Sequence, residues 1–171
     1  VKMMWSQEET TYDGKYYQLV RANCDPKPLQ APRPPIWIGG GGEQLTLRVV
    51  AQHADYSNFG GSAEEFSRKV EILKGHCLKV GRDESEIKKT TSGEILIRDT
   101  EKELREYQIA SGRGDNFEQW SNANFVGTPD QVAERIADFV QRGCSGFVPW
   151  CVDYPDKQTL TEFAKIMKTY R

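Results

Sequence analysis

The sequence predicts an α/β fold with parallel strands, on three observations. Short apolar runs alternate along the chain with segments of helical periodicity. The helical segments between successive runs are long enough for right-handed crossovers between parallel strands. Four glycines, Gly39–Gly42, stand where the first such run must turn into its helix. Two architectures accept this order: an open doubly wound sheet, or part of a (β/α)8 barrel.

The elements follow in order. Thr10-Thr11-Tyr12 and Tyr16-Tyr17-Gln18-Leu19 flank the turn pair Asp13-Gly14 and predict a β-hairpin. The segment from Pro26 to Pro35 is too rich in proline for helix or central strand. The first parallel strand is Ile36–Ile38, and its helix runs from about Glu43 to Ala54, with Leu47, Val50, Ala51 and Ala54 on one face. A second strand at Asp55–Phe59 ends in Gly60-Gly61. Its helix, Ala63 to Val80, buries Phe66, Val70, Leu73 and Cys77, and Gly81 suits a left-handed C-terminal cap.

A third strand near Gly93–Ile97 leads into Thr100-Glu101-Lys102-Glu103, which has the form of a capping box. Residues 112–125 carry little periodicity. Gly112-Arg113-Gly114-Asp115-Asn116 reads as loop, with Phe117 and Trp120 as packing anchors. Thr128-Pro129-Asp130-Gln131 marks the clearest helix start: a capping threonine, proline at the first helical position, and a glutamine that completes the box. Val132, Ile136, Phe139 and Val140 form its buried stripe, and Gly143 ends it. A fourth strand, Gly146–Val152, precedes a last helix with Leu160, Phe163, Ala164 and Met167 inward.

Composition excludes several functions. The chain has 171 residues, enough for one domain with a real core. It is 37% hydrophobic and 28% charged, which fits a globular protein rather than a disordered one. A net charge of −2 gives no electrostatic basis for binding nucleic acid or an anionic membrane. No apolar run is long enough to span a bilayer. The opening, Val1 to Glu9, does not have the form of a signal peptide, and the absence of an initial Met suggests a fragment. Cys24, Cys77, Cys144 and Cys151 show neither zinc nor disulfide-framework spacing. They read as reduced, packed thiols of a cytoplasmic protein, and no metal site is expected.

The glycine run is the informative motif. Strand, glycine turn and helix start together aim bare backbone N–H groups at an anion, with the favourable partial charge of the helix N-terminus behind them. A nucleoside triphosphate loop needs Lys-Ser or Lys-Thr after its last glycine, but Glu43-Gln44 follows Gly42. A dinucleotide fingerprint needs a third glycine where Gln44 or Leu45 stands. What remains is the phosphate-holding turn at the C-terminal end of a barrel strand, set against an ordinary tight turn with no ligand.

Pro35-Ile36-Trp37-Ile38-Gly39-Gly40-Gly41-Gly42-Glu43, then Ala54-Asp55 and Asn58, then Gly127-Thr128-Pro129-Asp130-Gln131-Val132 resemble the bacterial luciferase-like monooxygenase family. The closer likeness is to its deazaflavin (coenzyme F-420) oxidoreductases. The stretch from Trp5 through Tyr12-Asp13-Gly14-Lys15-Tyr16-Tyr17 also resembles the family. The likeness spans nearly the whole chain.

The resemblance implies a (β/α)8 TIM barrel of which this chain supplies the last four strand–helix units. Residues 1–35 form the hairpin and connector and residues 36–171 the βα units of a single partial domain. It implies an oxidoreductase that transfers hydride between coenzyme F-420 and a small organic substrate, or alternatively an FMN-dependent monooxygenase. Gly39, Gly40, Gly41 and Gly42 would hold the phosphate, and Asn58, Phe59, Gly60 and Gly61 would border the coenzyme tail.

Arg98, Asp99 and Trp150 fall at the functional end of the barrel, with Asp99 reading equally as a helix cap and Trp150 equally as core. No catalytic residue is named. His53 and His76 sit in amphipathic outer helices, Glu94 reads as a surface residue in or beside a strand, and Glu64-Glu65 and Lys88-Lys89 read as solvated faces. A half barrel leaves strand edges and its inner face uncovered. It therefore needs its missing N-terminal half or a second chain as partner, a homodimer included. Two other readings are a non-catalytic coenzyme-binding module and an open-sheet domain holding a nucleotide at Gly39–Gly42.

Overall fold

Parallel ladders build the larger of the two units into which the chain divides, Trp37–Arg171; the smaller is Val1–Ile36. The structure is a computed structural model that describes residues 1–112 and 116–170. Arg113, Gly114 and Asp115 of the expected loop lie outside the described residues.

In the smaller unit a short helix, α1 (Lys2–Ser6), precedes an antiparallel hairpin of β1 (Thr10–Asp13) and β2 (Gln18–Ala22). Asp13 pairs with Gln18, and the Gly14 amide donates to the Tyr17 carbonyl at 3.0 Å. Tyr16 and Tyr17 therefore occupy the connecting turn, not the second strand where the alternation had put them; both rings are exposed. The segment 26–35 forms neither helix nor strand.

The larger unit runs β3 (Trp37–Gly39), α2 (Thr46–His53), β4 (Tyr56–Asn58), α3 (Ala63–Val80), β5 (Lys88–Ile97) and α4 (Glu101–Ala110). It continues with α5 (Phe117–Ala123), β6 (Phe125–Gly127), α6 (Pro129–Gln141), β7 (Cys144–Cys151) and α7 (Gln158–Met167). All ladders are parallel. β3 pairs with β4, β4 with the start of β5, and β7 with β5 along Lys89–Ile95. β6 lies against the end of β5, on the edge that β4 has left free.

Apart from β6, which caps the free edge of β5, strands β3, β4, β5 and β7 thus add side by side in chain order, with no switch point where the order reverses. That is the order of a barrel segment and not of a doubly wound sheet. The side chains agree. Ile38 packs with Val50, Ala51, Leu73 and Cys77 of α2 and α3, while Ile95 and Ile97 join Phe66, Val132, Ile136 and Phe139 of α3 and α6. The opposite face presents Trp37, Val148 and Trp150, which are 50%, 39% and 59% exposed. Trp37 stacks on Tyr56 there, with ring centroids 4.2 Å apart.

Local signals account for the helices. Ser62, Thr100 and Thr128 each complete a reciprocal capping box with Glu65, Glu103 and Gln131. Gly81 ends α3 at φ 67°. Three expectations change. First, β5 begins at Lys88, five residues before the expected start; Lys88 stays exposed as expected, but Lys89 is half-buried. Lys89 pairs with Glu84, and the Thr90 and Thr91 hydroxyls donate to the carbonyls of Ser57 at 3.2 Å and Phe59 at 3.1 Å. A polar strand start stays buried because each hydroxyl finds a neighbouring carbonyl.

Second, α5 and β6 occupy part of the stretch that had little periodicity, with Phe117 and Trp120 packed around Leu96 and Val126. Third, α7 keeps only part of its expected stripe inward: Phe163 and Met167 pack against the core, but Ala164 is exposed. Thr159 and Ile166 are buried, whereas Leu160 is 57% exposed. The Thr159 hydroxyl donates to Asp153 at 2.6 Å and accepts from the Ile97 amide at 3.1 Å, which sets the rotation of the helix.

Candidate functional site

Two of the expected segments meet at one end of the sheet. Gly39 pairs with Asn58 across β3 and β4, and the Gly40 amide donates to the Asn58 carbonyl at 2.8 Å. Beyond that pair the chains continue as the turns Gly40–Leu45 and Phe59–Ser62, side by side at the C-terminal ends of adjacent parallel strands. Helix α2 starts at Thr46, later than the expected Glu43, because Glu43 is drawn aside. Its carboxylate pairs with Arg68, and its carbonyl lies 2.8 Å from His76 Nε2. Both partners belong to α3, so α3 straps the glycine turn from below.

The glycines differ in what requires them. Gly40 and Gly61 have φ of +113° and +117°, a region that side chains disfavour. At Gly60 a Cβ would come within 2.9 Å of the Ser92 carbonyl oxygen. These three are needed by the turns themselves. Gly39 is different: a Cβ there would meet nothing within 4 Å. Gly41 would meet the Lys69 side chain, with the ammonium at 2.6 Å, and Gly42 would meet Thr46, with the hydroxyl at 2.8 Å.

The bare face over Gly39 is the face that carries Trp37 and Tyr56. Asn58 lies on it beside Gly39, and its Oδ1 is buried without a hydrogen-bond partner. A buried acceptor left unpaired costs free energy unless a donor arrives. An open space over bare backbone, beside an orphaned amide oxygen, fits the hydroxyl- and phosphate-bearing tail of a coenzyme.

Phe59 does not line this space with its ring. The ring is 2% exposed and packs against Phe66 at 5.1 Å, so only the Phe59 backbone borders the site. Sequence reasoning missed Lys69. Its ammonium donates to the Gly60 carbonyl at 3.2 Å and reaches the glycine turn as well. Its place on the same helix as Arg68 and His76 was the available signal, but only the tertiary fold aims it.

The other candidates take different places. The Arg98 guanidinium donates to Asp153 at 2.9 Å and to the Ile97 carbonyl at 2.8 Å, so it clamps β5 to the loop before α7. Asp99 is exposed, and Thr100 caps α4 in its place. Trp150 is on the exposed face, not in the core. Glu94 lies within β5, as expected, but is half-buried; its carboxylate accepts from Trp120 Nε1 and its amide donates to Asn124 Oδ1. His53 is exposed at the end of α2.

Burial pushes the Cys77, Cys144 and Cys151 thiols up, away from thiolate character at neutral pH. A pocket of 150 Å³ opens between the start of α3, the end of α5 and α6. Its Arg135 is committed to the carbonyls of Ser121 and Asn124. Among the described residues no group of three His, Cys, Asp or Glu side chains is placed to hold a metal ion. No helix among them is long and apolar enough to cross a membrane.

Comparison with known proteins adds a family and a fold. The family model described as luciferase-like monooxygenase matches residues 1–124. An FMNH(2)-dependent dimethylsulfone monooxygenase of Pseudomonas putida is 27% identical over 169 residues, covering 80% of this chain and 46% of that protein. The chain thus spans about half the length of the curated relatives it matches.

Among solved structures, an F420-dependent secondary alcohol dehydrogenase in complex with an F420-acetone adduct matches with a TM-score of 0.82 at 13% identity, over 99% of this chain and 58% of that one. The coenzyme F420 dependent tetrahydromethanopterin reductase of Methanopyrus kandleri matches with a TM-score of 0.72 at 18% identity, over 97% and 58%. DmoA from Hyphomicrobium sulfonivorans matches with a TM-score of 0.69 at 16% identity, over 99% and 53%. At these identities the likeness establishes the fold: the sheet is part of a luciferase-like (β/α)8 barrel.

Proposed function

The chain belongs to the luciferase-like monooxygenase family, and from that premise we propose that it supplies the phosphate-holding half of a deazaflavin- or flavin-dependent oxidoreductase. The intact protein transfers hydride between coenzyme F-420 and a small organic substrate. The observation that carries this reading is the pair of turns at Gly39–Gly42 and Asn58–Gly61. There an open space lies over Gly39 and an unpartnered acceptor, Asn58 Oδ1, stands beside it. A second reading, an FMN-dependent monooxygenase, is favoured by the relative in Pseudomonas putida, whose name specifies FMNH(2). Both coenzymes carry a ribityl phosphate end, which is what these turns would grip.

When bound, the coenzyme supplies the two-electron chemistry. The chain's own residues bind and position. Backbone amides of Gly41 and Gly42 and the start of α2 offer donors and a favourable partial charge to an anion, while the Gly40 amide ties the turn to Asn58. Asn58 Oδ1, buried without a partner, would accept from a hydroxyl of the tail. Fixing the tail restrains where the ring can lie, and that restraint is the contribution of this half to the reaction.

The face of Trp37, Tyr56, Val148 and Trp150 is completed by the N-terminal half of the barrel, which in the intact protein forms one domain with residues 1–171, or by a second copy in a homodimer. The four unpaired cysteines support a cytoplasmic setting.

The test is a titration of the intact protein with FMN and with coenzyme F-420 separately, followed by absorbance and fluorescence. One of the two is expected to bind saturably at one site per chain. Binding of neither would overturn the reading, and binding of FMN alone would select the monooxygenase.

A further inference from the structure

We infer that Lys69 is the charge partner of the coenzyme's phosphate, so that preference for a phosphorylated over a dephosphorylated carrier depends on this one side chain. The inference rests on the reading of the glycine turns as a coenzyme cradle and adds to it a residue that no glycine motif contains. Lys69 is half-buried on α3, and its ammonium stands where the two turns approach each other. It donates to the Gly60 carbonyl at 3.2 Å, and a Cβ on Gly41 would come within 2.6 Å of it.

An ammonium has three donors. Among the described residues Lys69 makes one hydrogen bond, to Gly60, and no ion pair. The acids nearby are otherwise engaged. Glu43 pairs with Arg68, and the Glu65 carboxylate accepts from the Ser62 amide in the capping box. The Phe59 ring lies beneath the ammonium, with its centroid 5.7 Å away, and holds the lysine stem against the core.

A cation with donors to spare, between two turns of bare backbone, is complementary to an anion that bridges them. A phosphate monoester carries close to two negative charges at neutral pH, because its second ionisation lies near pH 6. A phosphodiester carries one. Either would accept from Lys69 and from the amides of the glycine turn together. The shared chemistry is therefore a ribityl phosphate, whether it comes from FMN or from the deazaflavin.

The test uses the full-length protein as wild type, Lys69→Met, Lys69→Arg and Gly39→Val. Each is titrated with FMN, riboflavin, coenzyme F-420 and the dephosphorylated deazaflavin core. The wild type is expected to prefer the phosphorylated member of at least one pair. Lys69→Met is expected to weaken that member by about 10- to 100-fold, the range of a charge-assisted hydrogen bond. Binding of the dephosphorylated partner should stay within about twofold, and Lys69→Arg should keep most of the preference. Equal weakening of both members would show that Lys69 only props the Gly60 carbonyl, and would overturn the inference. So would a phosphate preference that survives Lys69→Met while Gly39→Val weakens binding; the cradle would then stand and the lysine assignment fall. No preference in the wild type, with Gly39→Val silent, would sink the cradle and the inference together. Melting curves of all four proteins show whether any loss reflects unfolding.

Discussion

Replacing Gly39 separates the needs of the fold from the needs of a ligand. A Cβ at this position meets nothing within 4 Å, and the backbone is ordinary strand paired with Asn58. Gly39→Ala therefore adds no clash, and it removes conformational freedom from the unfolded chain, which stabilises by about 0.4–1 kcal/mol. For a protein of this size or larger the melting temperature should rise by no more than about 4 °C.

The same methyl group projects into the space assigned to the coenzyme tail. Crowding a filled site by a methyl or more costs about 1–3 kcal/mol, which corresponds to about 5- to 150-fold in dissociation constant. Gly39→Val should lie further along the same scale. Fluorescence titration of the intact protein gives the affinities, and differential scanning calorimetry gives the melting temperatures. Unchanged affinity in both variants would refute the placement of the coenzyme over Gly39. A large fall in melting temperature without ligand would show that protein fills this space in the complete barrel.

Three other outcomes follow from the same structure. Gly61→Ala should destabilise by about 1–3 kcal/mol with or without coenzyme, because Gly61 has φ +117° and the new methyl would run into the Glu65 carboxylate; chemical denaturation checks it. Arg98→Met should cost about 3–5 kcal/mol by the same measurement, since the Asp153 side chain it leaves behind is 2% exposed. The Cys144 thiol is pushed up by burial, so the folded protein keeps a proton that the unfolded chain releases above pH ~8.5. Its stabilising contribution is complete below that pH and is lost as pH rises, so melting temperature should decline above about pH 9. The decline should be shallower in Cys144→Ala, and in the wild type a thiol reagent at pH 8 should modify Cys24 well before Cys144.

Much of this molecule was legible in the chain because the signals are local. The stripe Phe66, Val70, Leu73 and Cys77, the boxes opened by Thr100 and Thr128, and the left-handed Gly81 depend on neighbours within a turn or two. The family likeness rested on motifs of the same kind. What periodicity misread were places where a distant partner overrides it. The start of β5 looks solvated until Ser57 and Phe59 offer carbonyls to Thr90 and Thr91. α7 looked apolar along Leu160 until Asp153 and Ile97 fixed Thr159 inward.

The sequence by itself determined the alternation of strands and helices, the helix ends, and a glycine turn suited to an anion. Only the tertiary structure decided that the strands add in chain order with one face bare, which makes the sheet a barrel segment. It alone distinguished glycines that the backbone conformation requires from Gly39, which no local strain explains. It alone brought Lys69 to the two turns. The reason is physical: caps and periodicity come from contacts between near neighbours in the chain, whereas open space and converging side chains exist only once separate segments have packed.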